Sequence, residues 1–112
     1  MSEEKILAEL EFKVEHLLLL IDPVRAPFSY LVLESNLSGE QVAGIYKLMH
    51  DYESYLAIGG KIKRSDFEQE LYKIVPQREG NFHFAEDVVG SLYSEGRYQP
   101  VYRALKEEKN EL

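Results

Sequence analysis

Apolar residues recur every three or four positions along this chain, in segments separated by prolines, glycines and short polar stretches. Residues three and four apart share one face of an α-helix, so this spacing predicts a series of amphipathic helices. The first segment predicts a helix over residues 3–21. Asp22 and Pro23 end it, because a residue that precedes proline avoids the helical conformation.

The first predicted helix is apolar on two sides. Its broader face predicts contact with the core, whereas a second, smaller face lies on the opposite side and contains Ala8, Phe12 and Leu19. A helix with two apolar faces must cover both, either within the fold or against another chain. We therefore identify these three residues as interface candidates. The broader face consists of Ile6, Leu7, Leu10, Val14, Leu17, Leu18 and Ile21.

The next two helices are indicated by their start signals. Pro27 opens a short second helix, because proline is tolerated at the first helical position. Residues 30–33 (Tyr-Leu-Val-Leu) could instead form a strand, but helix is favoured because the chain offers no second strand to pair with it. Ser38 caps a long third helix that reaches about Ile58, where Gly59 and Gly60 stop it.

Three shorter helices follow. Ser65 and Glu68 have the spacing of a capping box, which predicts that the fourth helix begins at Ser65 and ends before Pro76. The fifth is predicted over residues 82–94, and Pro100 starts the sixth. The charged residues 106–112 predict a frayed tail.

These elements predict a single all-α domain over residues 1–112, with five or six helices around one core. Two of the helices are long and the rest are short. We expect the first and third helices to form a long central pair, with the shorter helices packed around it.

The net charge of −7 comes from 13 basic and 20 acidic residues. A net-negative chain disfavours nucleic-acid binding, because that affinity comes largely from Lys and Arg neutralising phosphates. Lys61, Lys63 and Arg64 are the basic-patch candidates where such binding could still occur. A solvated loop is the simpler interpretation of this cluster.

No group of residues predicts catalysis. The absence of cysteine excludes disulfides, thiolate metal sites and a cysteine nucleophile. His16, His50 and His83 are too far apart in sequence to give a pair of metal ligands on one helix turn. There is no Gly-x-Ser-x-Gly elbow either. The sequence therefore predicts a protein that is not an enzyme, with no catalytic, metal-binding or cofactor-binding residues and no cofactor.

The sequence also predicts a cytoplasmic protein without a membrane partner. Its apolar run over residues 17–21 is far shorter than the ~20 residues of a membrane-spanning helix. Ser2, Glu3 and Glu4 give the N-terminus the wrong charge for a secretion signal.

Two groups of residues resemble the YhaI-like family of small uncharacterised proteins from Gram-positive bacteria. The resemblance covers nearly the whole chain and implies an all-α domain without an assigned activity. It supplies no catalytic residues. The first group is Pro27-Phe28, Val32-Leu33-Glu34 and Leu37-Ser38-Gly39-Glu40, and the second is Tyr52, Tyr55, Gly60, Phe67, Leu71, Tyr93, Gly96, Tyr98, Pro100 and Val101.

The leading functional hypothesis is a non-enzymatic interaction module that self-associates as a homo-oligomer, or else binds an unidentified protein partner. It rests on the two apolar sides of the first helix and on eight tyrosines, a residue type common at interfaces. An alternative is a small-molecule-binding regulatory protein with an apolar pocket between helices. A nucleic-acid-binding regulator is the third hypothesis.

Overall fold

The computed structural model describes residues 2–110 and the side chains of residues 2–108. Within this range the chain forms six α-helices and a 3-10 turn at Pro76–Arg78, with no strand, which confirms the all-α prediction. Residues 30–33, for which a strand was the alternative, are helical and lie within the second helix. The helices are α1 (Glu3–Leu20), α2 (Pro27–Glu34), α3 (Gly39–Ala57), α4 (Arg64–Ile74), α5 (Phe82–Ser94) and α6 (Gln99–Asn110).

Helices α2 to α6 form a bundle around one core. Helix α2 packs against α5, α3 packs against α4 and α6, and α5 also packs against α6. Apolar side chains from all five helices meet in the interior, where their removal from water stabilises the fold. The buried cluster consists of Phe28, Ile45, Leu48, Met49, Phe67, Leu71, Val75, Phe84, Ala85, Val88, Val89, Leu92, Val101 and Leu105.

The prediction that the first helix belongs to a central pair is wrong. Helix α1 has no buried residue, and its main contacts are with α2. Helix α3, in contrast, lies at the core and contacts both α4 and α6. The bundle closes its core without α1, which extends away from it and helps to give the molecule dimensions of 56 × 27 × 24 Å.

A hydrogen-bonded turn joins α1 to the bundle. The Asp22 carboxylate accepts a hydrogen bond from the backbone N–H of Val24 at 2.9 Å. The Asp22 carbonyl accepts two more, from the N–H groups of Arg25 and Ala26, each at 3.1 Å. These bonds fix the chain direction between the two helices, because an aspartate side chain can organise the residues that follow it.

At the start of two helices, a carboxylate from a distant part of the chain accepts a hydrogen bond from a backbone N–H group. The predicted capping box at Ser65 is wrong: α4 begins at Arg64, and no side-chain cap is made there. Instead Glu108 of α6 accepts a hydrogen bond from the backbone N–H of Arg64. A carboxylate at this position also interacts favourably with the positive end of the helix dipole, so the tertiary contact replaces the local cap.

The same arrangement occurs at the start of α2. Ala26 precedes α2 and has no side chain that could cap it. The Glu95 carboxylate accepts the backbone N–H of Phe28 at 2.8 Å and lies 3.5 Å from the Arg97 guanidinium. The Arg97 guanidinium in turn lies 4.8 Å from the centre of the Tyr46 ring. Glu95 and Arg97 thus attach α2, the helix that carries α1, to the rest of the bundle.

Helix α6 continues beyond Lys106, where the sequence predicts the start of a frayed tail, and ends at Asn110. Fraying of this helix end stays a prediction, and residues 111–112 lie outside the described residues.

Candidate interaction surface

All three predicted interface residues are exposed on the projecting helix. Phe12 retains 60% of its accessible surface and Leu19 retains 79%, while Ala8 is also exposed. Phe12 lies edge-on to His16, with 4.4 Å between ring centres, so it has one aromatic neighbour within its own helix. This small apolar face is therefore available to another molecule.

Most of the broader face of α1 is exposed as well, which the sequence interpretation missed; Leu18 and Ile21 are half-buried. Leu7 and Leu17 each retain 58% of their surface, and Leu10 and Val14 are also exposed. Soluble monomers rarely leave large contiguous apolar patches in contact with water, so such a surface is typical of an interaction site. The candidate interaction surface is therefore the whole of α1 rather than three of its residues.

Helix α1 has its own start signals. Ser2 accepts a hydrogen bond from the backbone N–H of Lys5 at 3.2 Å, and Glu3 and Glu4 lie in the first turn, where negative charge is favourable. Most of the stability of a helix in a protein nevertheless comes from packing of its apolar face rather than from local propensity. The local sequence therefore specifies a helix, and a contact on its apolar surface would stabilise it.

The basic-patch candidates have different environments. Lys61 and Lys63 are exposed, whereas Arg64 is half-buried and forms ion pairs with Glu68 at 3.0 Å and with Glu86. The hydrogen bond to Glu86 raises the pKa of Arg64, which stabilises its charged form. Arg64 therefore joins α4 to α5, and its charge is balanced within the fold.

Lys61 and Lys63 line a small cleft of about 310 Å³ beside the end of α3. Asp51 and Asp66 line the same cleft, so its lining carries groups of both charges. Tyr52 forms one wall, and its pKa is raised by burial and by a hydrogen bond to Glu70. The loop thus presents a mixed surface rather than a continuous basic one, and nucleic-acid binding, the third and disfavoured hypothesis, stays untested.

A larger cleft of about 460 Å³ lies between α4, α5 and α6. Its apolar lining includes Phe67 and Val89, and its charged lining includes Glu86 and Lys106. Gly90 also lines it, and a Cβ atom added there would meet nothing within 4 Å. The fold therefore has no steric need for glycine at this helical position, where glycine costs about 1 kcal/mol relative to alanine.

No group of three or more acidic or histidine side chains suited to a metal ion occurs in the described part of the chain. His16, His50 and His83 are all exposed, and His83 packs against the Phe82 ring with 4.3 Å between ring centres. Among residues 2–110, none of the helices is both long and apolar enough to cross a membrane.

No protein-family model, curated protein or solved structure matches this chain. The resemblance to YhaI-like proteins, the cytoplasmic location and the absence of enzymatic activity therefore stay predictions.

Proposed function

We propose that this protein is a non-enzymatic interaction module that self-associates through α1. One observation supports the proposal above all others: an 18-residue helix rich in leucine has no buried residue, although the bundle beside it is closed. Burial of apolar surface is the dominant favourable term in most protein association. Contact with a partner would therefore stabilise the complex most where it buries the exposed apolar surface of α1.

A second copy of the chain is the partner that the shape of the molecule best accommodates. Helix α1 projects beyond the bundle, so α2 to α6 leave much of its length open to approach. Pairing of two copies through the same patch covers that patch on both, as in symmetric dimers generally. A single contact would thus cover the exposed leucines of that patch on both molecules.

Light scattering during gel filtration tests the proposal over a dilution series in the micromolar range. The parent chain is expected to elute with a mass above the 13.0 kDa of one copy. A Leu10→Gln/Leu17→Gln variant is expected to elute as a monomer, because glutamine keeps helix propensity while adding polar groups to the apolar face.

Glu15→Gln is the matched control, since it introduces glutamine on the same helix without changing an apolar residue. It should associate as the parent does. A parent chain that elutes as a monomer at every concentration would refute self-association.

The larger cleft supports a second candidate function, the binding of a small apolar molecule. Its volume of about 460 Å³ lies within the range of ligand pockets, and Gly90 leaves open space beside α5 that a ligand could fill. Native mass spectrometry of the freshly purified chain should then show a species with added mass. Gly90→Leu, which fills the space, should remove that species, and a parent chain without added mass contradicts this candidate.

A further inference from the structure

The apolar positions of α1 have the spacing of a coiled-coil seam. Leu7, Leu10, Val14 and Leu17 are separated by three, four and three residues, which is the alternation of the a and d positions in a heptad repeat. All four side chains are exposed on α1. A row with this spacing fits a second row of the same kind, because each side chain inserts between residues of the facing helix. We call these four residues the α1 seam.

The charged residues beside the α1 seam differ between its two flanks. Glu11 and Leu18 occupy e positions on one flank, whereas Ile6 and Lys13 occupy g positions on the other. In a parallel pair the e flank of one helix faces the g flank of its partner, and in an antiparallel pair each flank faces its own copy. Residues at e and g set partner choice and orientation through their charges. In the parallel pair each g residue faces the e residue five positions later on the partner, so Ile6 faces Glu11 and Lys13 faces Leu18. An antiparallel pair that matches the two seams sets Glu11 against Glu11 and Lys13 against Lys13. Among these flanking residues, like charges therefore meet only in the antiparallel arrangement.

The apolar character of the helix also changes along its length. Glu3 occupies the first d position, at the N-terminal end, whereas Leu20 at the other end occupies a g position and retains 81% of its surface. A parallel pair places the two leucine-rich ends together and brings the two acidic ends together at the far end of the pair, away from the bundles. An antiparallel pair would set the leucine-rich end of each helix against the acidic end of the other.

We propose that two copies of this chain pair in parallel through the α1 seam, with both bundles at the same end of the pair. The inference deepens the proposed self-association and rests on it. It specifies the partner as a second copy, the contacting residues as the α1 seam, and the orientation as parallel.

Disulfide trapping tests the proposal, because the natural chain has no cysteine and a single introduced one is therefore unique. In a parallel pair the two residues at position 7 lie at the same level, within the ~6 Å between Cα atoms that a disulfide requires. We expect Leu7→Cys to form covalent dimers under mild oxidation at least about tenfold faster than Phe12→Cys, because pairing raises the effective concentration only at the seam. Phe12 lies on the same helix, outside the seam, with an exposure of 60% against 58% for Leu7.

A mixture of Leu7→Cys and Leu17→Cys chains shows whether the two α1 helices pair in parallel or antiparallel. The two positions lie ten residues, or about 15 Å, apart along the helix, so a parallel pair links each variant to its own kind. Tryptic peptides 6–13 and 14–25 should each be found joined to themselves. A predominance of peptide 6–13 joined to 14–25 would overturn the parallel orientation.

The two proposals fail in different ways. A parent chain that is a dimer by light scattering, combined with equal trapping of Phe12→Cys and Leu7→Cys, would overturn the α1 seam while self-association stands. A parent chain that is a monomer would overturn both.

Discussion

Helices α1 and α3 have nearly the same length, 18 and 19 residues, and opposite environments. Helix α3 buries Ile45, Leu48 and Met49, whereas α1 buries none of its residues. Both helices have local start signals and both carry an apolar stripe. An apolar stripe therefore shows that one face of a helix has to be buried. It does not show whether another helix of the same chain or another molecule buries it.

The position of each helix relative to the bundle explains the contrast. Helices α4 and α6 both return to pack against α3, so its stripe is covered by the chain itself. Helix α1 is joined to the bundle at one end, through the turn at Asp22, and contacts mainly α2. The bundle needs α3 to close its core, and it closes without α1.

The largest expected effect is on α3. Ile45→Ala removes a side chain with no exposed surface from the centre of the core. We expect the free energy of unfolding to fall by about 2–5 kcal/mol, from lost apolar burial and from the cavity that remains. Urea unfolding followed by circular dichroism measures the loss. A fall below about 1 kcal/mol would show that this site repacks and that the contrast with α1 is weaker than the structure indicates.

An intermediate effect is expected where the bundle holds α2. Glu95→Ala removes the carboxylate that accepts the backbone N–H of Phe28. We expect unfolding to become easier by about 1–2 kcal/mol, because that N–H loses its charged partner at a helix start. Glu107→Ala, at an exposed carboxylate on α6, is the control and should change stability by less than about 0.5 kcal/mol. Equal effects of the two variants would contradict a specific role for Glu95.

The smallest expected effect is on the bundle when α1 is changed. Leu10→Ala shortens a side chain that is 51% exposed on a helix outside the core. At a concentration low enough to give monomers, we expect the unfolding free energy of the bundle to change by less than about 0.5 kcal/mol. The same urea experiment used for Ile45→Ala measures it. A loss comparable to that of Ile45→Ala would show that α1 is part of the cooperative fold.

The sequence predicted the helices well because their start and stop signals are local. Ser38 caps α3 and also forms the reciprocal bond with Gln41, and Pro27 opens α2. The start of α4 was mispredicted by one residue, because Glu108 binds the Arg64 N–H from a helix 44 residues away. No local pattern contains that contact.

The candidate surface was predicted only in part, for a similar reason. Ala8, Phe12 and Leu19 were identified because they lie opposite the broader stripe, which was assigned to the core. Most of that stripe is exposed, so Leu7, Leu10 and the rest of the α1 seam were missed. Finding them requires knowing that five helices suffice to close the core, and that is a property of the whole bundle rather than of residues 3–20.

The two distant carboxylates have a consequence for the order in which the chain is made. Ribosomes synthesise proteins from the N-terminus, and Glu95 and Glu108 follow the backbone groups they bind by 67 and 44 residues. The starts of α2 and α4 therefore stay without these partners until those later residues have been made, whereas α1 receives its cap from Ser2, only one residue before its first turn. A nascent chain thus has every residue that specifies α1 before it has the two carboxylates that hold the starts of α2 and α4.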